Sequence, residues 1–311
     1  MNFYLKPAFL AIFALIANSD RIHAQGGRIV PVFELYHSDN AFGGTSADRI
    51  FHLGAEVDTP EELRTKSDTI LSTGAFWLNA VTTDLGGRPV TLSPFLRVRN
   101  FLKTGEQSTS FGAMVSVRFY EGQNDRVDLR TTVTRQNASW TSDNVEHLSI
   151  RLGYLRAIEG SSRIDIGLTS EWQSLIKESS VSHVGLSGKY RNSIGAFDVT
   201  GSARVNLRNS NVAGRSGRDV GLGLDVGRDL GFGRAYTKLS IDWSKDRNAR
   251  FGQPTARSET TTQTEIGYAV PLTDSGLARF TAYVRQERSD ANLAIYDATT
   301  NILGIGLRLS L

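Results

Sequence analysis

The chain has no cysteine among its 311 residues. It can therefore form neither a disulfide framework nor a thiolate metal site, and its cohesion must come from packing and hydrogen bonding. Proline is scarce, at 7 residues, which removes the proline-rich linkers and extended arms that would divide a chain of this length. After residue 25 no stretch comes near the roughly 18 consecutive apolar residues of a membrane helix, so a crossing of a bilayer would have to be made by strands. An excess of one charge is missing too. Lys and Arg number 35 against 32 Asp and Glu, a formal net charge of +3, and no basic block gathers the surplus, which argues against a nucleic-acid partner. His37, His52 and His183 show no ligand spacing, so the sequence calls for no metal or other cofactor.

What is present begins at the N-terminus. In MNFYLKPAFLAIFALIANSDRIHAQ, Lys6 precedes an apolar run from Pro7 to Ala17, followed by small residues suited to cleavage. This is the layout of a secretory signal peptide, with cleavage expected after Ala24 or, alternatively, after Ser19. Residues 1–24 are thus read as a signal that is removed on export. An exported chain without disulfides suits a large hydrogen-bonded sheet.

From about residue 48 onward one unit recurs: nine to thirteen residues that alternate apolar and polar, then a turn-rich gap. In SFGAMVSVRFY, Phe111, Ala113, Val115, Val117 and Phe119 share one face against Ser110, Gly112, Ser116 and Arg118. HLSIRLGY, RIDIGLTSEW, AYTKLSIDW and ARFTAYVR repeat the scheme, and NILGIGLRLSL carries it to the last residue. Strands of soluble sandwiches usually run about five or six residues, whereas a strand tilted in a bilayer needs about 9 to 11. The apolar face would then meet lipid and the charged face a watery lumen. Because lipid cannot satisfy a free sheet edge, the sheet must close. Connections alternate as such a barrel requires: short at 83–89, 120–126, 157–163, 191–195, 229–233 and 272–276, and mostly longer in between.

The expected fold is all-β, an antiparallel transmembrane β-barrel of about 14 strands, with 16 as the alternative. About fifteen segments can be counted, and parity requires an even number. RIVPVFELYH (28–37) carries a proline and alternates poorly, so it is set aside. The expected organisation is a signal peptide over 1–24, an N-terminal extension over 25–47 and the barrel over 48–311.

Candidate functional residues lie on the polar faces. Arg97, Arg99, Arg118, Asp128, Arg130, Arg151, Asp165, Glu171, Arg204, Lys238, Asp242, Arg279 and Arg285 are expected to line the lumen. Opposed rows of charge can set a field that selects ions, and the same residues could instead pair and brace the wall. The glycines of DVGLGLDVG stand at period two within a strand and do not form a dinucleotide loop, which needs a following helix. His147 and Ser149 form an H-x-S pair resembling that of outer-membrane lipid hydrolases, but Leu148 and Ile150 claim the lipid side and turn the pair inward. No catalytic residue is assigned. Trp77, Trp172, Trp243, Tyr190 and Phe119, at or near strand ends, suit an interfacial aromatic girdle.

The closing segment GIGLRLSL resembles the β-signal of outer-membrane barrels, with Gly306, Leu309 and Leu311 at matching spacing and Leu at the final position where Phe is usual. That resemblance implies assembly in a Gram-negative outer membrane through the barrel assembly machinery. The runs RAYTKLSIDWSKDRNARFG, ETTTQTEIGYAVPL and RQERSDANLAIYDATTNILGIGLRLSL are similar to the barrel of the surface lipoprotein assembly modifier family, with Ser289, Tyr296 and Asp297 nearest its last loop motif. This similarity implies a translocator that helps a surface lipoprotein across the outer membrane; no residue role is carried over. The expected function is therefore outer-membrane transport of translocator type, with a passive porin-like channel as the alternative and a lipid hydrolase as a remote one. The expected partners are outer-membrane lipid, the assembly machinery and a client lipoprotein.

Overall fold

The structure, a computed structural model, describes residues 27–309 except 48, 53–54, 62–63, 140–144, 159–160, 175–178, 213, 251 and 274–276. The signal over 1–24 and the final Leu311 lie outside the described residues. In chain order the strands are β1 (Arg28–Ser38), β2 (Arg49–His52), β3 (Ala55–Asp58), β4 (Asp68–Leu78), β5 (Val81–Asp84), β6 (Pro89–Phe101), β7 (Gln107–Glu121), β8 (Asp125–Ala138) and β9 (Val145–Ala157). They continue as β10 (Arg163–Ser174), β11 (Ser180–Ile194), β12 (Phe197–Ser210), β13 (Gly217–Asp229), β14 (Arg234–Asp246), β15 (Ser258–Pro271), β16 (Ala278–Ala291) and β17 (Ala298–Leu309).

All but β2 and β3 join one antiparallel sheet, in which each strand from β6 to β17 pairs with the next. β17 then pairs with β1, β1 with β4 and β4 with β6, which closes the sheet into a barrel of 14 staves. β5 continues the β4 stave past a kink at Asn79, whose φ of 51° is an unusual left-handed value for a residue with a side chain. The Asn79 amide donates to the buried Ser93 hydroxyl at 2.9 Å and so keeps the kink tied to β6. By a strand spacing of about 4.8 Å and a tilt of about 40°, such a cylinder is about 28 Å across between backbones.

The first stave corrects the expected organisation. Residues 28–38, read from sequence as part of an extension, are a barrel strand with β4 on one side and β17 on the other. The surplus segment is instead the one at 49–58, which folds into the small β2–β3 hairpin outside the wall. The physical reason lies in the inner face of β1. Val30 is only 1% exposed and stands opposite Phe76, so apolar residues occupy both faces and hide the alternation. Pro31 is tolerated because the pairing with β17 begins only at Val32.

The outer face is apolar and open to the surroundings: Leu207, Leu303, Ile266, Leu186 and Val284 are 57–65% exposed. Trp77, Tyr190, Trp172 and Trp243 stand on this face near strand ends, and Phe119 occupies the β-bulge of β7. Polar side chains alternate onto the concave face. There, glycines make room for large neighbours: a Cβ on Gly267 would collide with the Tyr236 ring, and one on Gly304 with that of Tyr283.

Candidate functional site

By register, the thirteen residues named from sequence share the polar face of the sheet, opposite the face of the exposed Leu186, Leu207, Ile266 and Val284. Many of them join into ion pairs. Arg97 reaches past Ser72 to Glu34 at 3.0 Å, Arg118 contacts Asp128 at 3.2 Å and Arg151 contacts Asp165 at 2.5 Å. Arg204 crosses the bare backbone of Gly221 to reach Asp242 at 2.8 Å. Lys238 at 2.6 Å and the Arg285 Nε at 2.7 Å both donate to Glu265, itself almost fully buried. The Tyr283 hydroxyl donates to Glu34 at 2.7 Å, which ties β16 to β1 across β17. Each of these pairs joins adjacent or next-adjacent staves, so the charges brace the wall along its circumference and do not bridge the lumen.

Arg99, Arg130 and Arg279 have no acidic partner among the described residues. For two of them the register explains why. Arg130 lies directly opposite Arg151, and Arg279 directly opposite Arg308. Arg163 and Arg191 form a third such pair, which the sequence reading missed. No two inward acids face each other in register among the described residues. Each arginine pair lines a recess of the inner wall. Arg130 and Arg151 share one of about 610 Å³ with Lys189, Arg204, Asp165 and Asp242. Arg279 and Arg308 share one of about 550 Å³ with Arg28, Arg234, Lys238 and Asp225. Arg163 and Arg191 share a third, of about 460 Å³, with Asp198, Asp225 and Arg234. Glu34, Arg28 and Tyr283 were also missed, the first two because β1 was not recognised as wall.

His147 and Ser149 do face inward, as the neighbouring Leu148 and Ile150 required. Their shared partner is Glu171, 3.5 Å from the Ser149 hydroxyl and 3.9 Å from the His147 Nε2. The serine thus donates to a carboxylate and not to an imidazole base, so His147 and Ser149 do not form a serine–histidine dyad.

At the end of the barrel where the longer connections lie, Asp246 is a hub with a fully buried side chain. Arg208 donates to it at 2.8 Å and Arg250 at 3.5 Å, while the Arg257 Nε stands 3.4 Å away without hydrogen-bond geometry. The Tyr296 ring lies against both Arg250, at 5.2 Å, and Arg257, at 5.1 Å. Burial, with Arg250 and Arg257 close by, pushes the Arg215 guanidinium in the adjoining loop below its ordinary value.

No family model matches the chain, and no curated protein does. Solved structures do. An anion-selective porin from Comamonas acidovorans aligns at 10% identity over 91% of this chain and 98% of its own, with a TM-score of 0.48. OccK2 (OpdF) of Pseudomonas aeruginosa aligns at 9% over 94% and 100%, TM-score 0.45. A loop-deletion mutant of OmpT from Vibrio cholerae aligns at 10% over 93% and 100%, TM-score 0.48. At such values the solute has to be argued from the chain's own lumen. A closed antiparallel wall with an apolar outer belt and a charged inner face defines a Gram-negative outer-membrane β-barrel.

Proposed function

We propose that the barrel is a passive, porin-like channel that favours small anionic solutes. One observation carries this reading: the inner wall opposes arginine to arginine at Arg130–Arg151, Arg163–Arg191 and Arg279–Arg308, and opposes no acid to another acid among the described residues. Like charges placed directly across a strand pair destabilise a sheet, so their retention in the lumen suits a path along which anions supply the missing partner. The near-balanced sequence conceals this, because acids such as Glu34, Asp242 and Glu265 are already held by other cations.

The test is the reversal potential of the purified protein in planar bilayers under a KCl gradient. Chloride should permeate better than potassium near 0.1 M salt, where the screening length is about 10 Å, and the preference should shrink near 1 M, where it is about 3 Å. Replacing Arg130, Arg163 and Arg308 with Glu should abolish or invert the preference. Steady conduction without anion preference would overturn the proposal. A silent bilayer would favour instead the assisted lipoprotein export implied by the C-terminal resemblance.

A further inference from the structure

We propose that the short-turn mouth of the barrel holds a binding station for a compact, multiply charged oxyanion of the phosphate type, built by Arg279 and Arg308 with Arg28 at its edge. This rests on the channel reading and narrows its solute. β16 begins and β17 ends at this mouth, and Arg279 lies directly opposite Arg308 there. Arg28 opens β1, four positions before Val32, the residue that pairs with Arg308. All three arginines line one recess, and none has an acidic partner among the described residues.

Most of the surrounding acids are already committed. On β1, Glu34 takes Arg97 and the Tyr283 hydroxyl. On β15, Glu265 takes Lys238 and Arg285. On β12, Asp198 takes Arg234. On β13, Asp225 is the one acid lining the recess, and the register sets it opposite Lys238. Thr281 and Tyr236 complete the polar lining with hydroxyls.

Cβ atoms directly opposed across a strand pair stand about 4.5–5.5 Å apart, so a single anion can reach both guanidinium groups. A monovalent ion would leave such a site net positive. An oxyanion with at least two charges and several acceptor oxygens can neutralise two arginines and receive a forked pair of N–H donors from each. The other two pairs are less well suited. Arg151 is already spent on Asp165, and the Arg163–Arg191 recess is lined by two acids, Asp198 and Asp225, against the single Asp225 of the Arg279–Arg308 recess.

The test measures chloride current through the full-length protein while inorganic phosphate is added at pH 8, with nitrate as the monovalent control. Phosphate should block saturably, with half-block on the order of 1 mM, and nitrate should not. The double variant Arg279→Gln/Arg308→Gln should raise the half-block concentration at least about tenfold, a change of about 1.4 kcal/mol. Anion preference should weaken in that variant but keep its sign, carried by Arg130, Arg163 and Arg191, so that the loss of phosphate block is read against a channel that still conducts chloride. Arg279→Lys/Arg308→Lys, which keeps the charge and loses the fork, should fall between. Equilibrium dialysis of labelled phosphate against the detergent-solubilised barrel gives the same ordering without requiring conduction. An anion-selective channel with no saturable phosphate block, or with a block that the glutamine pair leaves unchanged, overturns the station but leaves the channel reading standing. Loss of anion preference in the wild type overturns the channel reading, and the dialysis then decides the station by itself.

Discussion

At the scale of single residues the wall is organised by what glycine leaves out. Tyr283 covers Gly304 while its hydroxyl holds Glu34, and Tyr236 covers Gly267 beside the Glu265 cluster. Gly304→Val would push the Tyr283 ring off its seat and free Glu34 from one donor. Overpacking of this kind costs about 1–3 kcal/mol. The expected outcome is a lower urea midpoint for the refolded barrel in lipid, and a small alanine on Tyr283 should recover part of the loss. If Gly304→Val unfolds at the wild-type midpoint, the close seat has no energetic weight. Residue types on each face were readable from sequence: Phe280 and Val284 against Arg279 and Arg285 fix which side meets water. The contacts were not readable. Arg163 meets Arg191, and Arg97 meets Glu34 across an intervening stave, only because of the register, and a slip of one residue would undo both.

At the scale of elements the sequence misjudged one strand and one loop. β1 failed the alternation test because Val30 and Val32 face inward, where β1, β4 and β6 build an apolar strip with Phe76 and Phe95, whose rings stack at 5.8 Å. The 49–58 segment passed it, because a loop hairpin alternates as a wall strand does. The same scale holds the outer loop clamp. Tyr296, in the short 3-10 turn Ala294–Tyr296, packs on Arg250 and Arg257, which gather with Arg208 around Asp246. Asp246→Ala leaves those guanidinium groups facing one another in a buried hub, a loss of about 3–5 kcal/mol where one partner of a buried pair is removed. The loops at 247–257 and 292–297 should then become accessible to protease in intact vesicles, while the staves stay protected. Unchanged cleavage in Asp246→Ala would mean that the hub does not hold the loops. Tyr296→Ala removes only the ring and should loosen the second loop with little effect on overall stability.

At the scale of the whole molecule, closure fixes everything else. A sheet that joins β17 to β1 has one face turned to lipid and one to water at every position, so neighbouring residues on one strand live in different solvents. Leu186 and Ser187 on β11 put that claim to a direct test. Leu186 is 57% exposed on the outer face, and Ser187 lines the recess of Arg130 and Arg204. Leu186→Arg places a charge against hydrocarbon near the middle of its strand and should lower folding stability by about 2–4 kcal/mol in lipid. Ser187→Arg adds a cation to a wet lumen, so its stability should stay within about 0.5 kcal/mol of wild type, the usual range for a tolerated surface change. Its effect should appear in the current instead, as a stronger chloride preference that fades at high salt. Equal destabilisation by the two arginines would mean that the two faces share one environment, and a barrel spanning a membrane could not have that property.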